Sequence, residues 1–289
     1  MKDKIKAFID VFGMKFLKGF VVVFSGQTFA SVFNMLSMLI FMNYLGSNIY
    51  GEFVMIQAST TLVYSIFSFK GFQALIHFLN KSKNREEKMG YLKSVFFLDI
   101  ISLILSVLVC LFFTENLCKF MGWDSNMSQM IKLFTITLIT NFSGTTTGVI
   151  STYQKYTYLV NGQIISSVTK IILYVIAMFT GFSLIKMILI EIIIITLSNL
   201  ISLYYTYKIL KDEHLDRFYF SKCIWSKEFI KFNISSNITS TIDLPVNQIA
   251  TFIINKYLGF EFNAIYSVFE KIGAIMNKII TPLGQILFP

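Results

Sequence analysis

Residues 34–55 read NMLSMLIFMNYLGSNIYGEFVM, and residues 247–268 read NQIATFIINKYLGFEFNAIYSV. Tyr44-Leu45-Gly46 falls on Tyr257-Leu258-Gly259 at an offset of 213 residues (257 − 44). Asn34 falls on Asn247 and Phe53 on Tyr266 at the same offset. In each copy a long apolar stretch ends at Tyr-Leu-Gly, passes a short polar turn and re-enters an apolar stretch. This recurrence predicts a bundle laid down twice, an arrangement common among membrane transporters. The first lobe would run to about residue 227, and the second has only begun when the chain stops at Pro289.

Composition places the chain in a bilayer. Apolar residues make up 55% and charged residues 14% of it, against about 25% charged in a soluble domain. The mean hydropathy is +0.65. About 20 apolar residues cross the hydrocarbon core, which predicts helices near 20–43, 52–79, 91–113, 131–153, 159–182, 185–208, 229–256 and 262–283. The expected fold is therefore all-α: a polytopic membrane helix bundle with an N-terminal six-helix lobe and the start of a second, repeated lobe. Residues 1–18 form an amphipathic segment, with Ile5, Phe8, Ile9, Phe12 and Phe16 at helical spacing among lysines. That pattern suits a helix lying on an anionic leaflet. Residues 19–208 make the first lobe, 209–228 a cytoplasmic linker and 229–289 the first two helices of an incomplete second lobe.

Basic residues give the orientation. With the N-terminus in the cytoplasm, the inside segments hold Lys2 to Lys18, Lys81 to Lys93, Lys155 and Lys208 to Lys231, seventeen lysines and arginines in all. The outside segments hold Lys119, Lys132, Lys186 and Lys256. The positive-inside rule fixes this sense and accounts for most of the +9 net charge without nucleic-acid binding. Cys110, Cys118 and Cys223 stand in unrelated settings, and His77 and His214 have no metal-ligand spacing. No phosphate-cradling Gly-rich loop is present, so ATP hydrolysis by that machinery is excluded. No cofactor or metal is expected.

The residue pattern resembles a family. A basic amphipathic start leads to a long polar-flecked helix closing on Tyr44-Leu45-Gly46, with Tyr50-Gly51-Glu52-Phe53 just after. Phe69-Lys70-Gly71-Phe72, Asp243, Tyr257-Leu258-Gly259, Ile265-Tyr266 and Leu287-Phe288-Pro289 continue the likeness. Together they are similar to the Wzx-type oligosaccharide flippases of the multidrug/oligosaccharidyl-lipid/polysaccharide exporter superfamily. That family has twelve or more spans, so the resemblance implies that the chain is a fragment or a truncated product. It also implies translocation, without enzymatic chemistry, of a polyprenyl-diphosphate-linked oligosaccharide across the inner, cytoplasmic membrane. The product would feed surface polysaccharide of the O-antigen (lipopolysaccharide) or capsule type. Membrane lipids, a polysaccharide polymerase and glycosyltransferases are the implied partners, and an ion gradient the energy source. Three alternatives stand at this point: a cation-coupled multidrug exporter of the same superfamily, a polytopic membrane glycosyltransferase or acyltransferase, and a non-transporting membrane partner.

A diphosphate entering a low-dielectric cavity needs a cation beside it. Ionisable residues inside the spans are the candidates. Lys170 lies near the centre of the fifth expected helix, where it either faces a cavity or forms an internal ion pair. Lys70 lies late in the second, where it either lines the cavity or snorkels to the cytoplasmic face, the reading favoured for it. Gln27, Ser31 and Asn34 make a polar stripe on the first, suited to hydrogen bonding between helices or to substrate. Gln27, Asn34, Lys70 and Lys170 are taken as cavity residues. Asp243, two residues before Pro245, is the candidate for ion coupling, because proline frees a backbone carbonyl beside the carboxylate. Asp99 and Glu191 are expected to pair within the bundle, Lys278 to reach its helix end, and Gly144 to Gly148 to form a packing surface.

Overall fold

A computed structural model of the chain describes the backbone of residues 2–181, 183–242 and 248–287, and the side chains of residues 21, 23–181, 183–239, 241 and 248–274. Helix α1 runs Lys2–Phe67 and is broken at Gly46. It is followed by α2 Gly71–Lys81, α3 Arg85–Met121, α4 Ser125–Phe134 with a tighter turn over Thr135–Leu138, and α5 Ser143–Thr152. Then come α6 Tyr156–Phe179, α7 Leu184–Asp212, α8 Lys227–Ile242, α9 Ala250–Leu258 and α10 Phe260–Leu287. No strand occurs among the described residues. Among the described residues five helical stretches are long and apolar enough to cross a membrane: Val23–Phe67, Arg85–Met121, Ser125–Thr152, Tyr156–Phe179 and Leu184–Asp212. The first is 45 residues long, or roughly 68 Å at about 1.5 Å per residue, more than twice the ~30 Å hydrocarbon core. The break at Gly46 divides that length in two.

The sequence repeat is also a repeat of backbone conformation. Gly46 has φ 85° and ψ 163°, and Gly259, its counterpart 213 residues on, has φ 87° and ψ −177°. Glycine occupies this region at little steric cost. The two hairpins then meet. A Cβ placed on Gly51 would lie 1.9 Å from the Phe260 carbonyl oxygen, so the start of α10 passes directly against α1. The residue equivalent to Gly51 is Ala264, which is fully buried. Ser47 Oγ donates to Glu261 Oε1 at 3.4 Å beside this crossing.

Two large apolar cores among the described residues, beside two small ones, hold the bundle. One joins Phe41, Tyr50, Phe53 and Ile56 of α1 to Phe134, Tyr174, Met187 and Ile188, and takes in Phe252 of α9 and Ala264 of α10. The other joins Leu75 and Phe78 of α2 to Leu92, Val95, Val149, Ile150 and Leu210, and takes in Leu215, Phe218 and Phe229. Helices of the second repeat thus share cores with those of the first. Lys81 Nζ also reaches Glu228 Oε1 at 2.7 Å, tying the end of α2 to the start of α8.

Several expected spans are interrupted. The second, expected unbroken over 52–79, stops at Phe67 and resumes at Gly71, with Lys70 in the left-handed region at φ 48°. The fourth, expected over 131–153, breaks before α5 because Asp99 of α3 supplies the hydrogen-bond acceptors at the start of that helix. Gly144 and Thr145 N–H donate to Asp99 at 3.1 and 2.7 Å, and Thr145 Oγ1 donates at 2.7 Å. Asp99 therefore pairs with a helix N-terminus, where a negative charge is favoured. Gly144 is needed because a Cβ there would stand 2.4 Å from Asp99 Oδ1. Gly148 does pack as expected, against Leu75. The tight α6–α7 connection has Gly181 at φ 85°, and Lys186 Nζ donates to the Thr180 and Gly181 carbonyls at 2.6 and 2.7 Å. The amphipathic start is not a separate helix: the α1 backbone runs on from Lys2 without a break until Gly46. The side chains of residues 1–18 and of Lys278, and all of Asp243, lie outside the described residues.

Candidate functional site: a polar cavity inside the bundle

Three helices each present about two turns of one face to a common cavity of about 440 Å³. From α1 come Gln27, Ala30 and Asn34; from α6, Gln163, Ser166, Ser167 and Lys170; from α7, Glu191, Ile194, Ile195 and Ser198. Each set follows the i, i+3/i+4, i+7 rhythm that puts residues on one side of a helix. On an ordinary membrane helix such a stripe would be apolar. Here amides, hydroxyls and two charges replace it, in segments that otherwise qualify as membrane spans. Close packing of α1 on α6 closes one end: a Cβ on Gly26 would lie 2.0 Å from Val160 Cγ1.

The charges are paired. Lys170 Nζ forms an ion pair with Glu191 Oε1, with side-chain exposures of 15% and 4%. Tyr174, one turn along α6, donates its hydroxyl to Glu191 Oε1 at 2.7 Å, and Lys170 Nζ lies 5.6 Å from the centre of the Tyr174 ring. A second lysine approaches from α10. Lys271 Nζ donates to the Tyr50 hydroxyl and lies 5.1 Å from that ring's centre. The interior thus holds two ammonium groups, Lys170 of the first repeat paired with Glu191 and Lys271 of the second bonded to the Tyr50 hydroxyl. Pairing of this kind is how ionisable groups persist in a membrane interior.

The family-model comparison matches residues 16–289 to Polysaccharide biosynthesis protein. The chain belongs to the polysaccharide biosynthesis protein family. Its fold is that of MOP superfamily transporters. A MOP superfamily transporter from Pyrococcus furiosus, described as having a binding pocket of reversed polarity that suggests a different function, superposes with a TM-score of 0.67 at 14% identity, covering 94% of this chain and 62% of that one. The eukaryotic MATE transporter AtDTX14 superposes with a TM-score of 0.63 at 14% identity, covering 94% and 64%. An inward-facing multidrug resistance MATE family transporter of the MOP superfamily gives 0.56 at 15%, covering 91% and 59%. The chain thus spans less than two thirds of the length of each of these structures. No curated protein matches this chain. The fold is one that membrane transporters use, and the protein is a multi-pass membrane protein.

Of the four expected cavity residues in this family member, Lys170, Gln27 and Asn34 line one cavity. Lys70 does not join them. It lines a separate pocket of about 140 Å³ with Tyr64, Asp99 and Ser143, because the break at Ser68 to Lys70 turns its backbone aside. Tyr64 and Ser143 are joined there by a 2.8 Å hydrogen bond between their hydroxyls. Sequence reasoning missed Gln163 and Ser198, although each stands at helical spacing from Lys170 or Glu191. Tyr50 and Tyr174, absent from the expected residues, come to this site only through tertiary packing. Among the described residues no group of three or more His, Cys, Asp or Glu could hold a metal.

Proposed function

We propose that this chain carries the substrate path of a flippase for a polyprenyl-diphosphate-linked oligosaccharide. The product would cross the inner, cytoplasmic membrane for surface polysaccharide assembly beside a polymerase and glycosyltransferases. The N-terminus is cytoplasmic, residues 19–208 form the first lobe, 209–228 the linker, and 229–289 open the second lobe. Family membership and the polar cavity holding Lys170 support this reading, and that cavity carries it. The glycan needs hydroxyl and amide partners, which Gln27, Asn34, Gln163 and Ser198 offer. The diphosphate needs a cation, which Lys170 offers once Glu191 releases it. At an effective dielectric of about 20 a pair of unit charges ~4 Å apart is held by about 4 kcal/mol. A diphosphate competes with that by presenting more than one charge, while Glu191 turns to Lys271. Asp243, beside Pro245 in the second repeat, is proposed to couple the cycle to an ion gradient.

Lys170→Ala should abolish surface polysaccharide while leaving membrane abundance intact. Lys170→Arg should keep part of the activity, since it retains charge with a different donor geometry. Normal polysaccharide in the alanine variant would exclude the role. A second reading, cation-coupled export of organic cations, is favoured by the buried carboxylate of Glu191 and by the two MATE structures above. It predicts drug resistance that depends on Glu191 and survives Lys170→Ala.

A further inference from the structure

The segment between α7 and α8 is fastened to the start of α3. Lys93 Nζ donates to the Tyr219 and Ser221 carbonyls at 2.8 and 2.7 Å. Ser94 Oγ donates to the Ile224 carbonyl at 3.0 Å and accepts from the Ile224 N–H at 2.8 Å. Arg85 Nε donates to the His214 carbonyl at 2.7 Å. A Cβ on Gly90 would lie 2.9 Å from the Lys222 carbonyl oxygen, so this stretch lies flat on the helix.

Between strap and helix is a cavity of about 910 Å³, within the range of about 300–1,000 Å³ typical of ligand sites. Its charged lining is Arg85, Arg217 and Lys222 with Glu86 and Glu87. Three cations against two carboxylates leave it net positive, and none of the five is in an ion pair among the described residues. Phe220, 89% exposed, stands at its edge, with Tyr219 and Trp225 exposed nearby. Exposed aromatics beside basic residues at the end of membrane helices mark the interfacial belt. The anionic leaflet draws basic clusters to this depth.

We propose that this cavity binds the headgroup of an anionic phosphoglycerol lipid and thereby clamps the strap joining the two repeats. Arg217 and Lys222 take the phosphodiester, Glu86 and Glu87 accept from the glycerol hydroxyls, and Phe220 enters the acyl region. A single net charge on the headgroup matches the single excess cation of the lining. The proposal rests on the cytoplasmic placement of this segment and not on which substrate the polar cavity carries.

The test is lipid retention by the purified intact chain in native mass spectrometry, using phosphatidylglycerol, phosphatidylethanolamine and phosphatidylcholine. Amide exchange over residues 213–226 is followed in nanodiscs of the same lipids. We expect preferential retention of phosphatidylglycerol over both zwitterionic lipids, and slower exchange of the strap in its presence. Two basic contacts at about fivefold each predict a loss of about thirtyfold in phosphatidylglycerol affinity for Arg217→Gln/Lys222→Gln. Arg217→Lys/Lys222→Arg should keep the preference, which separates lost charge from lost folding. Equal retention of the three lipids, or a preference unchanged by the glutamine pair, would overturn the proposal. So would displacement of the lipid by inorganic phosphate alone, which would make the site one for a free anion.

Discussion

Lys170 and Glu191 lie on neighbouring helices with Tyr174 closing the pair from below. Either charge alone in this setting would be strongly unfavourable; together they are tolerated and can exchange partners. The sequence shows Lys170, Gln27 and Asn34 directly, because a charge or amide at helical spacing in an apolar span stands out. Lys271 does not stand out, since its contact with Tyr50 joins residues 221 positions apart. Asp99 reads in sequence as a residue paired within the bundle, and in the fold its partners are the N–H groups at the start of a helix. Two predictions belong at this scale. Asp99→Ala leaves the Gly144 and Thr145 N–H groups without their acceptor, at about 1–3 kcal/mol each. It should lower the melting temperature in detergent. Gly144→Ala should be destabilising in the native chain, because its Cβ meets the Asp99 carboxylate. In an Asp99→Ala background it should cost less, the non-additivity expected of residues in contact. Additive melting shifts would show that the two do not share this contact.

At the scale of elements, the hairpin repeat was legible because Tyr-Leu-Gly recurs intact. The breaks at 68–70 and 139–142 fall in stretches that carry polar residues, Ser68 to Gly71 and Thr140 to Gly148, but the apolar runs on either side together match the length of one span. What interrupts the fourth span is a carboxylate donated by another helix, invisible to any local window. The two hairpin glycines make a matched test. Nothing stands within 4 Å of a Cβ at either Gly46 or Gly259, but both carry positive φ. Gly46→Ala and Gly259→Ala should therefore each cost about 1–3 kcal/mol through backbone strain alone. Gly51 differs, because its Cβ would strike the backbone of α10 rather than a movable side chain. Gly51→Val should exceed both in lost melting temperature, and crosslinking of introduced cysteines at Ser47 and Glu261 should fall with it. A melting temperature for Gly51→Val above those of the two hairpin variants would argue against the close crossing.

At the scale of the whole molecule, the charge bias predicts that residues near 80–90 and 209–228 are cytoplasmic and those near 114–130 external. In a background lacking Cys110, Cys118 and Cys223, reagent from outside should label Ser125→Cys and spare Ser82→Cys, and the reverse would invert the orientation. The larger question is whether the paired charges in the polar cavity serve transport or only hold the bundle. Neutral isosteres separate these. Lys170→Gln/Glu191→Gln removes both charges together, keeps hydrogen-bonding groups in place and leaves no buried charge unpaired, so the fold should survive. The direct measurement is the flipping rate of polyprenyl-diphosphate-linked oligosaccharide in proteoliposomes, with the melting temperature taken on the same preparations. If the paired charges serve transport, the double variant is a folded protein with a near-native melting temperature and no flipping above that of empty vesicles. A double-glutamine protein that flips the lipid at the wild-type rate would contradict a transport role.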